Sequence, residues 1–162
     1  MGVKIFSVAK RKGGVGASSV TVMLATTLAK YRNKKVLIID TDDQATIADL
    51  SLIDEGQGIS PLVQVMQMNP ARVHLFLQSR KNDYDIIFID LPRMSNLDSD
   101  DKLVMLMYLC DGLLIPILPS KLAVLSTVKF VGIAKDVVKH RLDYGNETIL
   151  HGFLSLANNR TD

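Results

Sequence analysis

The chain reads as an α/β protein built on a mostly parallel β-sheet with helices on both faces. Three observations predict that class. Short β-rich runs carry continuously apolar cores ("VLII", "IIFI", "LLIPIL") instead of alternating ones, as strands covered on both faces require. Helical patterns separate those runs, which implies right-handed βαβ crossovers. The composition, 48% hydrophobic and 22% charged over 162 residues, suits a single domain, 1–162, around one core.

Taken in order, strands are expected at Val3–Ala9, Val36–Asp40, Asp85–Asp90, Gly112–Leu118 and Ile149–Ala157, with helices over 17–31, 45–52, 61–80, 98–110 and 120–140. The stretch "DEGQGIS" at 54–60 reads as the most mobile loop. The run "LVMLMYLC" makes the helix at 98–110 apolar nearly all round, either as core or as core plus a dimer surface. On the helix at 120–140, Lys121, Lys129, Lys135 and Lys139 share one side, opposite Phe130, Ile133, Val137 and Val138. That side is a solvated face or a stripe able to track phosphates without reading bases.

Charge and cysteine content narrow the classes further. A net charge of +2 implies neither nucleic acid nor membrane by itself. The single Cys110, inside an apolar run, reads as a buried, inert thiol, and one cysteine cannot build a disulfide framework or a four-cysteine metal site. No apolar run approaches the ~20 residues needed to cross a bilayer. Strand character begins almost at once, so the reading is cytoplasmic, with no membrane partner.

The chemistry concentrates in "SVAKRKGGVGASSVTVMLA", where an apolar strand runs through a glycine-rich turn into a helix. Gly13, Gly14 and Gly16 permit close backbone approach, so amide N–H groups from Gly13 through Val15 to Ser19 can converge on phosphate oxygens. The helix N-terminus adds partial positive charge. Ser18 sits where a hydroxyl reaches a nucleotide-bound Mg²⁺. Ala17 occupies the place where such loops carry lysine. Losing that charge-assisted contact weakens nucleotide binding by roughly ten- to a hundredfold, unless Lys10, Arg11 or Lys12 compensates, and impairs phosphoryl transfer more. Ala17 is either a substitution that disables the site or the natural mark of a degenerate ATPase.

Two further clusters end strands. "VLIIDTDDQ" places Asp40, Asp42 and Asp43 at a strand's carboxyl end, and "DYDIIFIDLPR" places Asp90 likewise. Ligands of doubly wound sheets bind there. Carboxylates so placed either hold a metal's water shell and orient a water, or cap the next helix.

These blocks resemble the ParA/MinD family of deviant Walker-motif ATPases, closer to ParA, from residue 3 to the end of the chain. "KGGVGAS", "IIDTDDQ", "IIFIDLP" and "DGLLIPILPS" follow the family's order, with Asp43 where ParA proteins usually have proline. The resemblance implies a P-loop NTPase-like fold that binds ATP/ADP with Mg²⁺. It implies Lys12 as the signature lysine reaching a partner's phosphates across a nucleotide-sandwich homodimer, and Asp42 as the carboxylate positioning the attacking water. It also implies Ser18 as Mg²⁺ ligand, Asp40 and Asp90 in the outer metal shell, and Asn158 with Asn159 near the base. Nonspecific DNA and a small ParB-like activator are the implied partners, in plasmid, chromosome or cargo partitioning. Family members usually continue past "FLSLANNRTD", so the chain is a shortened relative or lacks a tail. A nucleotide-binding scaffold without turnover is the alternative; a ligase-like relative ranks below both.

Overall fold

The computed structural model describes residues 2–9, 16–58, 60–92 and 101–155. Among them run β1 (Lys4–Val8), α1 (Ala17–Arg32), β2 (Val36–Asp40), α2 (Thr46–Gly56), β3 (Gln64–Gln67), α3 (Pro70–Arg80), β4 (Ile86–Asp90), α4 (Asp101–Tyr108), β5 (Gly112–Ile117), α5 (Lys121–Asp143) and β6 (Ile149–Leu154). The strands form one sheet in the order β3-β2-β4-β1-β5-β6, and every pairing is parallel.

The continuous apolar runs are explained by two-sided burial. All five residues of β2 are buried. Successive side chains of a strand point to opposite faces. Val36 and Ile38 of β2 and Phe88 of β4 accordingly pack with Ala25 of α1 and Ile47 of α2. Leu37, Ile39, Ile87 and Ile89 pack on the other face with Val73 of α3, Leu106 of α4 and Phe130 of α5. The helix-covered parallel sheet predicted from the sequence is therefore what forms.

One segment departs from expectation. The predicted helix over 61–80 is a strand, β3, followed by a shorter helix, α3. Pro70 at the head of α3 lacks the N–H that a continuing helix would need, and Asn69 before it is extended, its side chain accepting from Ala71 N at 3.0 Å. Val65 and Met66 then extend the sheet edge beside Ile38 and Ile39. At 54–60 the expected loop is partly helical, since α2 runs on to Gly56.

The helix at 98–110 is core over most of its described length. Leu103, Leu106 and Met107 are fully buried, while Met105 is 36% exposed. Cys110 is buried too, its Sγ–H reaching Leu106 O, and burial pushes the thiol up to about 12. On α5 the four lysines are exposed, and Phe130 and Val137 lie against the sheet. Among the described residues no helix is long and apolar enough to cross a membrane.

Candidate functional site

Parallel pairing brings the carboxyl ends of all six strands to one edge of the sheet. At that edge β2 and β4 are in register, with Asp40 directly opposite Asp90. Partners in a parallel ladder face the same way, ~4.8 Å apart. Their parity is that of Val36, Ile38 and Phe88, so both acids lie on the face that carries α1 and α2. Ser18, in the first turn of α1, donates its hydroxyl to Asp90 Oδ2 at 2.9 Å. The sequence separated these residues by tens of positions, and the fold gathers them.

The head of α1 suits an anion. Gly16 enters it in the left-handed conformation, φ +75°, where a Cβ is strained. Among the described residues no side chain caps this end, and its first turn holds no acidic residue. Helix N-termini with these properties attract phosphate and carboxylate groups. Ser155, at the end of β6, closes the other flank: a Cβ on Gly16 would lie 3.5 Å from its Oγ. Ser155 escaped the sequence reading, because nothing local marks the residue after a strand as a neighbour of a distant glycine.

Ala17 is 2% exposed and packs with Val8 at the end of β1, bordered by Val20, Leu24 and Phe153. Its methyl therefore contributes packing and no charge. Ser19 is exposed at the same helix head.

The acids differ in what they hold. Asp40 is 1% exposed and spends its oxygens on backbone donors. Oδ1 accepts Asp42 N at 3.1 Å, and Oδ2 accepts Ile47 N at 3.0 Å and Ala48 N at 3.2 Å. It thus caps α2 from outside the helix, a role the sequence reading weighed beside the metal role. Asp42, 8% exposed, accepts Gln44 N at 3.2 Å through Oδ1. Beside it opens a polar cavity of about 330 Å³ walled by Asp43, Gln67 and Asn69, so water has access. Asp90 is 1% exposed. Thr41, which the sequence reading passed over, donates both its N–H (3.1 Å) and its hydroxyl (2.6 Å) to Asp90 O.

The donor set is oxygen only, which suits a hard cation such as Mg²⁺ over a transition metal. Among the described residues no group of three or more His, Cys, Asp or Glu side chains is placed to hold a metal unaided. Mg²⁺ needs no such cage, since it commonly takes one or two protein oxygens plus waters and phosphates. Lys12, Gly13, Gly14, Val15 and Asn158 lie outside the described residues, as does Asn159.

The six-stranded parallel sheet with helices on both faces defines the class of fold: P-loop NTPase-like α/β. The likenesses within it are specific. A family model described as an AAA domain matches residues 3–74. A plasmid partition protein from Borrelia burgdorferi is 25% identical, with a TM-score of 0.65 over 95% of this chain and 78% of that one. A ParA family ATPase from Chlorobium tepidum TLS shares the fold at 21% identity, TM-score 0.60, over 97% of this chain and 76% of that one. Cobyrinic acid a,c-diamide synthase from Mycobacterium smegmatis, solved with an ATP analog and magnesium, shares it at 17% identity, TM-score 0.68, over 98% and 77%. No curated protein matches the chain. The resemblance to the ParA/MinD family, read from four motif blocks, is thus matched in fold as well.

Proposed function

We propose that the chain is a ParA-like switch that binds ATP and ADP with Mg²⁺. The observation that carries this reading is the 2.9 Å hydrogen bond from Ser18 Oγ to Asp90 Oδ2 at the open head of α1, with Asp40 in register beside it. A hydroxyl aimed at a buried carboxylate is the arrangement in which the hydroxyl oxygen faces a cation while its proton is held behind. Bound Mg²⁺ would neutralise phosphate charge.

The chain's own residues then divide the work. The backbone from Gly13 to Ser19 and the α1 dipole hold phosphate oxygens, with Ala17 contributing backbone only. Ser18 is the direct metal ligand, and Asp90 orients it. Asp40 holds the start of α2 in place next to the metal's water shell. Asp42, buried but open to the neighbouring cavity, positions the attacking water. Lys12 supplies the cation that completes the site across a homodimer, and Asn158 approaches the base.

Ala17 sets the activity. Binding persists through backbone and metal, while charge developing on the γ-phosphate lacks its usual cation, so hydrolysis is weak or absent in this form. That favours the second reading, a nucleotide-binding protein that signals by occupancy, for the chain as it stands. In the leading reading the nucleotide-bound dimer holds DNA nonspecifically through exposed lysines such as those of α5, answers to a small ParB-like activator, and partitions DNA or other cargo in the cytoplasm.

Calorimetry with ADP and ATP, each with and without Mg²⁺, tests binding. Ala17→Lys tests the enzyme: gain of ATP turnover is expected. Turnover absent from Ala17→Lys with DNA and any candidate activator present counts against an ATPase ancestry and leaves the occupancy reading.

A further inference from the structure

The contact between Thr41 and Asp90 ties the two halves of the site together, and no motif assigned it a role. Thr41 is 2% exposed and stands between Asp40 and Asp42 in the chain. Its backbone N–H and its hydroxyl both end on one acceptor, Asp90 O, at 3.1 and 2.6 Å. The N–H bond alone is what a parallel ladder supplies at this step. The hydroxyl is an addition, and its length is at the short side of the normal O–H···O range.

Asp90 is thereby held from two directions. Its carboxylate receives Ser18 from α1, and its carbonyl receives Thr41 from the end of β2. A continuous run of hydrogen bonds leads from the helix head, through Asp90, to the residue that separates Asp40 from Asp42. Asp40 in turn holds Asp42 N and the first turn of α2.

We infer that Thr41 is a positioning residue: its hydroxyl fixes the spacing between the carboxylates of β2 and the Ser18–Asp90 pair, and so sets how strongly Mg²⁺ couples to nucleotide. The inference rests on the nucleotide reading above and names a residue that reading does not use. Thr41 acts through Asp90 and not on the helix head directly, so phosphate binding without metal should not depend on its hydroxyl.

The test compares wild type, Thr41→Val and Thr41→Ser by calorimetry with ADP, in excess Mg²⁺ and in EDTA. Valine keeps the branched shape and removes the donor; serine keeps the donor. The strengthening of ADP binding by Mg²⁺ should fall roughly three- to tenfold in Thr41→Val. Affinity in EDTA should stay within about twofold of wild type in all three proteins, and Thr41→Ser should restore the Mg²⁺ effect. Equal weakening with and without metal would indicate a merely structural hydroxyl and overturn the inference, as would an unchanged Mg²⁺ effect. Should Thr41→Val fail to fold, Thr41→Ala gives the same comparison without apolar bulk. ADP binding absent from the wild-type chain overturns the nucleotide reading itself; binding present but indifferent to Thr41 overturns only this inference.

Discussion

Single residues show how much of the site rests on side chains that face inward. Asp40, Thr41 and Asp90 are each no more than 2% exposed, yet every one has hydrogen-bond partners at the strand ends. Ser7 is the contrast. It is fully buried in β1, and its hydroxyl has no hydrogen-bond partner among the described residues. An unmet buried hydroxyl costs ~1–3 kcal/mol, so Ser7→Ala should be neutral or stabilising by about 1 kcal/mol. Urea denaturation checks this, and a loss of stability would point to a partner for the hydroxyl in solution. At this scale the sequence was most legible where a residue type is tied to a motif. Ser18, Asp40, Asp42 and Asp90 were all singled out, and they do come to one sheet edge. Thr41 was silent, because a threonine at a strand end is ordinary until its partner across the ladder is known.

Elements explain the one misread stretch. The run "PLVQVMQMNPARVHLFLQ" holds apolar residues dense enough to satisfy a helical period, and length alone did not separate the two halves. The Asn-Pro step was the available signal, since proline is favoured in the first helical turn and asparagine before it. Tertiary context then decides: Val65 and Met66 find β2 as a partner, and α3 begins afresh at Pro70. Asn69→Ala, removing the bond to Ala71 N, should cost about 1 kcal/mol of stability. Thermal melting measures it, with Asn69→Asp expected to retain most of the cap. Helix α5, by contrast, was readable in outline from its lysine and apolar sides, and Phe130 and Val137 are buried as that wheel requires.

Across the whole molecule, the continuous apolar strands gave the layer architecture, but no local pattern gives strand order. The placement of β4 between β1 and β2 puts Asp90 within reach of both α1 and β2. Without that crossover, the acids of β2 and the hydroxyl of α1 would belong to separate surfaces. Topology therefore assembles the candidate site as much as the motifs do, and under the proposed function Ala17 would change what that site does more than whether it assembles. Its methyl packs with Val8 at the sheet end, so the helix head keeps its place while the charge is missing.

The most direct test of the site is ADP titration of the wild-type chain and of Ser18→Ala, each with Mg²⁺ and with EDTA. The account predicts binding by the wild type that Mg²⁺ strengthens, and binding by Ser18→Ala on which Mg²⁺ has little effect. A wild-type chain that ignores Mg²⁺, or a Ser18→Ala variant that responds to it fully, would contradict the assignment of the Ser18–Asp90 pair as the metal-holding centre.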